Sequence, residues 1–238
     1  MKPAFYALAP GGWRDYVTLL HPPYTLWHLS YVAVGAALAP QLPAERLGWT
    51  LAAFALAMGV GAHALDELNG RPLRTRIPDR VLWALAGASV AAAGAIGVAA
   101  AMRWTPWLLV FVAVGVFLVP AYNLELAGGR FHSDVWFALA WGAFPALTAY
   151  FAAAETLRAE AVLAAGYAAL MSYAQRALST PVRAVRRRVS AVAGEVEYTD
   201  GTRVPVTEQT LIAAPEKALR TLGGAAVTLA VALLVMRW

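Results

Sequence analysis

The chain of 238 residues contains no cysteine and few charged residues. The absence of cysteine excludes disulfides, thiolate metal sites and a cysteine nucleophile. Charged residues make up 14% of the chain, whereas soluble domains contain about 25%. Hydrophobic residues reach 60%, and the mean hydropathy is +0.57. This composition excludes an ordinary soluble domain and indicates an integral membrane protein. The sequence also lacks a P-loop, an HExxH zinc-protease motif and a GxSxG nucleophile elbow, so it carries no signature of these enzyme classes.

Long apolar stretches predict the fold class. A helix needs about 20 mostly apolar residues to cross a bilayer, and seven stretches fit this pattern. They lie near residues 25–43, 48–66, 81–102, 105–123, 134–153, 158–178 and 218–237. We therefore predict an all-α, polytopic bundle of about seven transmembrane helices that forms a single integral membrane domain over residues 1–238.

The distribution of basic residues predicts the orientation. If the N-terminus is cytoplasmic, every lysine and arginine except Arg46, Arg103, Arg158 and Arg237 falls in a segment on the cytoplasmic side. This bias follows the positive-inside rule, so we expect a multi-pass protein of the cell membrane. The net charge of +5 is then a result of topology, and no nucleic-acid partner is expected.

Residues 179–217 form the longest polar segment, which we predict to be a cytoplasmic insertion. Its first part, from Pro181 to Val192, alternates valine with arginine, which is typical of a basic interfacial helix. The run Arg186-Arg187-Arg188 is expected to contact anionic lipids. Its second part predicts a small β-hairpin near 194–207, with Asp200-Gly201 in a two-residue turn. Pro215 is expected to begin the last helix.

A polar run at the end of the second stretch is the first candidate site. His63, Asp66 and Glu67 are spaced so that they share one helix face. Carboxylates bind Mg²⁺ through oxygen, and the nearby arginines, including Arg71 and Arg74, suit phosphate oxygens. The alternative is an ordinary loop in which Glu67 pairs with Arg71.

Two further clusters lie at the same predicted side of the membrane. Tyr122, Asn123 and Glu125 follow the fourth stretch, and Arg176 lies near the end of the sixth. In a site, Tyr122 and Asn123 would contact a ligand and Arg176 would bind its phosphate. The alternative is that Tyr122 is an interfacial aromatic residue and that Arg176 extends to the headgroups.

Together these residues resemble the UbiA superfamily of intramembrane prenyltransferases over about residues 19–180. The resemblance rests on Leu19-Leu-His-Pro22 before the first stretch and on Arg71-Pro72-Leu73 after the polar run. It also rests on Tyr122 and on Trp141-Gly142-Ala-Phe-Pro145. The order, spacing and common sidedness of these motifs carry the match.

The resemblance implies a helical bundle with a central cavity open to lipid, and transfer of a polyprenyl group from its diphosphate to an acceptor. It assigns Mg²⁺ to Asp66 and Glu67, with His63 as a ligand or an orienting residue. Arg71, Arg74, Arg176 and Asn123 would hold the diphosphate, and Tyr122 would line the cavity mouth. The chain departs from the family after the sixth stretch, where Gln175, Arg176 and Ser179 stand in place of the second aspartate motif. The alternative function is therefore an isoprenoid- or lipid-binding or scaffold protein that has lost the chemistry.

Overall fold

The computed structural model describes residues 2–237, which are mostly helical with one small sheet. The helices are α1 (Trp13–Leu19), α2 (Pro22–Ala37), α3 (Ala44–Leu68), α4 (Asp79–Arg103), α5 (Leu108–Asn123), α6 (Asp134–Ala154), α7 (Ala159–Arg188) and α8 (Glu208–Val235), with a short turn at Leu126–Gly129. The strands are β1 (Glu195–Glu197) and β2 (Arg203–Pro205). The all-α class is therefore confirmed, with the predicted hairpin as its small β element.

Four helices are long and apolar enough to cross a membrane: α3, α4, α6 and α8. The seven-span count is not supported in full. Helix α2 and helix α5 each have 16 residues, which at 1.5 Å per residue span about 24 Å, less than the ~30 Å of a hydrocarbon core. Helix α7 is long, but its second half carries Arg176, Arg183 and the 186–188 arginine run.

The centre of the bundle is helix α2, which packs against α6 and α8. Its Trp27 and Tyr31 are fully buried. At Gly35 the backbone of α2 lies so close to α6 that a Cβ would overlap the Ala146 carbonyl. Small residues allow such close approach between apolar helices, where packing rather than a hydrophobic driving force holds the pair together.

Two of the long helices contain π-helical segments. In α3 the segment is Ala55–Ala62, and in α6 it is Leu139–Ala143. Each π-segment inserts extra backbone into a turn and rotates the residues that follow it. In α3 these residues are His63 and Asp66, so the π-segment helps to set their direction.

The segment predicted as a separate insertion is continuous with the bundle. Helix α7 runs without a break from Ala159 to Arg188, with Pro181 inside it, so no new helix begins there. In the hairpin, Val196 pairs with Val204. Only Gly201 in the turn has positive φ, and Tyr198 N–H donates to the Thr202 carbonyl. The predicted two-residue turn is thus wrong, because the hydrogen-bonded pair of Tyr198 and Thr202 encloses three residues, 199–201.

The start of the last helix also differs from the prediction. Helix α8 begins at Glu208, and Pro215 lies inside it. The Thr207 hydroxyl accepts from the Thr210 N–H, and the Thr210 hydroxyl accepts from the Thr207 N–H. This reciprocal capping satisfies two N–H groups and fixes the helix start two turns before the proline.

Candidate functional site

A polar cavity lies at the end of the bundle where α3 and α5 end and where α2 and α6 begin. It encloses about 950 Å³ of space between atoms, including its open mouth. Five of the predicted site residues line it: His63, Asp66, Tyr122, Asn123 and Arg176. They come from three helices that are distant in the chain, so the fold brings the three predicted clusters together. Glu67, Arg71 and Arg74 do not line the cavity.

Helix α3 presents His63 and Asp66 to the cavity. His63 Nδ1 lies 3.1 Å from the Gly59 carbonyl one turn earlier, which leaves its Nε2 as the free ring nitrogen. The His63 ring stacks on His21, with centroids 4.0 Å apart and an interplanar angle of 7°. The imidazole is therefore fixed by packing and by one hydrogen bond.

Glu67, a predicted metal ligand, instead binds the loop that follows α3. Its side chain is fully buried. One carboxylate oxygen accepts from Leu73 N–H at 2.9 Å, and the other accepts from Thr75 N–H at 2.8 Å and the Thr75 hydroxyl at 2.9 Å. The loop after α3 is thus folded back over the helix end, and Glu67 holds it there.

The loop arginines are directed away from the cavity. Arg71 donates to the Ile77 carbonyl and forms an ion pair with Asp79. Arg74 is exposed and has positive φ. The expected ion pair between Glu67 and Arg71 does not form either, because the oxygens of Glu67 accept from the loop.

An aromatic wall surrounds Tyr122 at the end of α5. Tyr122 stacks on His132 at 4.5 Å, and its ring lies 5.9 Å from Phe137 and 5.6 Å from Trp141. The His132 Nδ1 is 3.0 Å from the Tyr122 carbonyl. Asn123 donates its side-chain amide to the Val119 carbonyl at 2.7 Å, so its oxygen is the atom left for a ligand.

Arg176 joins α7 to the start of α6. Its Nε donates to Asp134 at 2.9 Å, and its guanidinium lies 5.6 Å from the Phe137 ring centroid. Its positive charge is therefore shared with a carboxylate at the cavity edge.

Sequence reasoning missed several cavity residues. The most important are Arg183 and Arg187, together with His21, His28 and Tyr6. Arg183 and Arg187 stand at i+7 and i+11 from Arg176, which places all three on one face of α7. That periodicity was the available signal, but it depends on α7 continuing through Pro181.

The N-terminal segment, residues 2–8, lies against the cavity, and its Ala4, Phe5 and Tyr6 help to line it. The Tyr6 hydroxyl lies 2.8 Å from His21 Nδ1, and Arg220 lies over the Phe5 ring at 4.5 Å. Arg186 donates to the Lys2 carbonyl at 3.2 Å. Burial raises the pKa of Tyr6 well above its usual value, which keeps the hydroxyl neutral and able to donate.

Several buried polar atoms of the cavity lack partners within residues 2–237. They are His21 Nε2, the Tyr122 hydroxyl and Gln175 Oε1. Buried polar groups in folded proteins are normally hydrogen-bonded. These atoms are therefore available to a polar ligand.

Two of the three predicted Mg²⁺ ligands, His63 and Asp66, line the cavity, and Glu67 does not. Mg²⁺ takes near-octahedral oxygen ligands, of which one or two carboxylates usually come from the protein and the rest from waters and substrate phosphates. The oxygens of Glu67 accept from the loop, so Asp66 is the one predicted carboxylate that faces the cavity. Within residues 2–237 no group of three or more His, Asp or Glu side chains is placed to hold a metal ion.

An apolar groove lies beside the same helices, farther from their polar ends. It encloses about 700 Å³. On α3 it is lined from Trp49 to Ala57, on α5 from Leu108 to Val116 and on α6 from Phe144 to Ala152, with α4 closing it. The polar cavity begins where these stretches end, at Met58, Tyr122 and Trp141. A polar chamber and an apolar groove therefore follow one another along three shared helices.

Comparison of this chain with protein-family models, with curated proteins and with solved structures finds no match.

Proposed function

We propose that this protein binds an isoprenoid diphosphate within the membrane and transfers its prenyl group to an acceptor, as its resemblance to the UbiA superfamily implies. One observation carries the proposal: Asp66, Tyr122 and Arg176 meet in a single polar cavity that an apolar groove follows along the same helices. An amphiphile with a compact anionic head and a long hydrocarbon chain has this shape and polarity.

The groove suits the hydrocarbon chain. From Trp49 to Ala57 its wall on α3 is about 12 Å long at 1.5 Å per residue. Its lining is almost entirely apolar side chains. Transfer of hydrocarbon from water to such a site contributes about 0.8 kcal/mol per CH₂, although a chain arriving from the bilayer gains less.

The aromatic wall supports transfer as well as binding. When the bond between the prenyl carbon and the diphosphate oxygen breaks, positive charge develops on carbon. Tyr122, Phe137 and Trp141 line this cavity, and aromatic rings can stabilise cations. The same side chains exclude water, which would otherwise capture the cation.

The second candidate is a lipid-binding protein without transferase activity. It is favoured by Glu67, which stabilises the loop, and by the absence of carboxylates from α7 where the family has its second aspartate motif. In this function the cavity would hold the head group, and the N-terminal segment would cover it.

Two measurements on the purified full chain in nanodiscs test the proposal. The first is equilibrium binding of farnesyl diphosphate against farnesol, where the proposal expects clear preference for the diphosphate. Equal binding would contradict a head-group site. The second is product formation from labelled farnesyl diphosphate with membrane extract. Transfer that is lost in Asp66→Asn supports the enzyme, whereas binding without any product supports the second candidate.

We also propose that the cavity end of the bundle faces the cytoplasm, as part of a multi-pass protein of the cell membrane. Exposed arginines cluster at this end, namely Arg14, Arg74, Arg76, Arg80 and Arg188, and basic side chains of this kind attract anionic lipids. Because the chain has no cysteine, single-cysteine variants report the topology. In Arg188→Cys the thiol should react with an impermeant maleimide only after the cells are opened. Labelling in intact cells would contradict the proposed orientation.

A further inference from the structure

We infer that Arg183 and Arg187 form an anion site that holds the phosphate oxygens of the ligand directly, without a divalent cation. The inference rests on the proposed function for the identity of the whole ligand, but the anion site is testable by itself. Both arginines lie on α7 one turn apart and line the same polar cavity as Asp66.

The charges around the cavity leave these two arginines unpaired. Arg176 is paired with Asp134 at 2.9 Å, and Glu216 accepts two hydrogen bonds from Arg186. Within residues 2–237, no carboxylate oxygen lies within 4.0 Å of Arg183 or Arg187. Two carboxylates line the cavity, and Glu216 is already paired with Arg186. The arginines therefore bring two positive charges to the cavity, against the one remaining carboxylate of Asp66.

Their present hydrogen bonds are few and weak. Arg183 donates to the Thr180 hydroxyl at 3.2 Å, and Arg187 donates to the Pro3 carbonyl at 3.4 Å. Guanidinium groups carry five N–H donors each and bind phosphate in a bidentate manner. Most of these donors remain free for a ligand.

Burial adds a driving force for anion binding. It lowers the pKa of Arg183, and the neighbouring charges of Arg176 and Arg187 lower it further. The two partly buried cations thus repel each other in a site of reduced dielectric. An anion placed between them relieves this repulsion and restores the lost solvation.

The two arginines would also make metal-binding carboxylates unnecessary in this cavity. In the family that the sequence resembles, metal ions supply the positive charge that binds the anionic diphosphate. Here Glu67 is used by the loop, and fixed guanidiniums stand beside Asp66 instead. Arginine is a permanent cation that needs no metal to bind phosphate.

The test is equilibrium binding of inorganic pyrophosphate and of farnesyl diphosphate to the full chain in nanodiscs, each measured in EDTA and in Mg²⁺. We expect farnesyl diphosphate affinities in the two buffers to agree within about threefold. The double variant Arg183→Gln/Arg187→Gln should bind at least about tenfold more weakly, since it removes both the charge and the bidentate hydrogen bonds to phosphate. The matched control is Arg188→Gln, an exposed arginine on the same helix, which should bind as the parent does.

The outcomes separate the inference from the proposed function. Binding that disappears in EDTA and returns with Mg²⁺ overturns the inference while the proposed function stands. Pyrophosphate binding that the double variant loses, without any binding of farnesyl diphosphate, supports the anion site and contradicts the proposed function. No binding of either ligand, or unchanged affinity in the double variant, overturns the inference. If the double variant does not fold, Arg183→Lys and Arg187→Lys keep the charge, and each should bind more weakly than the parent because the bidentate fork is lost.

Discussion

Asp66 and Glu67 are adjacent in α3, yet their carboxylates lie in different environments. Asp66 lines the polar cavity, whereas Glu67 is fully buried and accepts three hydrogen bonds from the following loop. Neighbouring residues on a helix point about 100° apart. The last turn of α3 can therefore direct Asp66 towards the cavity and Glu67 towards the loop. The two acids therefore have separable roles.

Glu67→Ala should destabilise the protein. The change leaves the N–H groups of Leu73 and Thr75 buried without an acceptor, and each such loss costs about 1–3 kcal/mol. We expect the free energy of unfolding to fall by about 3 kcal/mol in total. Thermal unfolding in detergent measures this. Asp66→Ala is the matched control and should change stability much less, so an equal loss in both variants would contradict the separation of roles.

Arg71→Gln should leave diphosphate binding almost unchanged. Arg71 donates to the Ile77 carbonyl and pairs with Asp79, so its guanidinium is not available to the cavity. We expect an affinity for farnesyl diphosphate within about twofold of the parent, since no ligand contact worth the usual 1.5–3 kcal/mol is lost. A tenfold loss would show that the loop rearranges on binding.

Gly142→Ala should weaken the packing of α6 against α7. A Cβ at this position would overlap the Ala168 carbonyl and approach the Ser172 hydroxyl at 2.8 Å. Forced overpacking costs about 1–3 kcal/mol, which a lowered unfolding temperature would report. Gly166→Ala is the control, because no atom lies within 4 Å of its added Cβ. Equal effects of the two substitutions would contradict the close approach.

Acid should loosen the N-terminal segment through His21. Burial lowers the pKa of His21 well below its usual 6.5, and positive neighbours lower it further. The unfolded chain therefore binds more protons, so the stabilisation is complete above pH 6.5 and is lost as the pH falls below it. The titratable groups that face His21 are Tyr6, His28, His63, Arg183 and Arg187.

Unfolding temperatures measured between pH 7.5 and pH 5 test this dependence. His21→Gln removes the titrating group, so its unfolding temperature should decrease less over this range than that of the parent. The other histidines are present in both proteins, so the difference between the two slopes reports His21 together with its coupling to the stacked His63. Identical slopes would exclude His21 as the group responsible.

Tyr6→Phe should release the N-terminal segment from the cavity mouth. The change removes the hydrogen bond to His21 Nδ1 and leaves the ring in place, a loss of about 0.5–1.5 kcal/mol. In a background with Phe5→Cys, the thiol should react faster with a maleimide when Tyr6 is replaced. Labelling that is equally fast with either residue at position 6 would show that this hydrogen bond does not hold the segment.

The sequence predicted the parts of the site that local patterns encode. His63 and Asp66 share a face because of their spacing. Tyr122 marks the polar end of α5, and Arg176 marks the point in α7 where the apolar stretch ends. Asp200-Gly201 located the hairpin. Sequence reasoning could not separate Asp66 from Glu67, because their difference depends on a loop that returns through a backbone with positive φ at Arg71 and Arg74. Sequence reasoning also ended the sixth apolar stretch at residue 178, whereas α7 continues to Arg188. For that reason it did not place Arg183 and Arg187 in the site.

Composition and periodicity by themselves determined that this chain is mostly helical, with helices apolar enough to cross a membrane, because apolar content and helix spacing are local properties. They also located the polar run around His63. Only the tertiary structure decided which polar groups meet. Helices α3, α5 and α7 bring one acid, one tyrosine and three arginines to a single cavity, since packing against α2 and α6 fixes which helix ends are neighbours. The balance of charge in the site, with cations exceeding acids, is therefore a property of the fold.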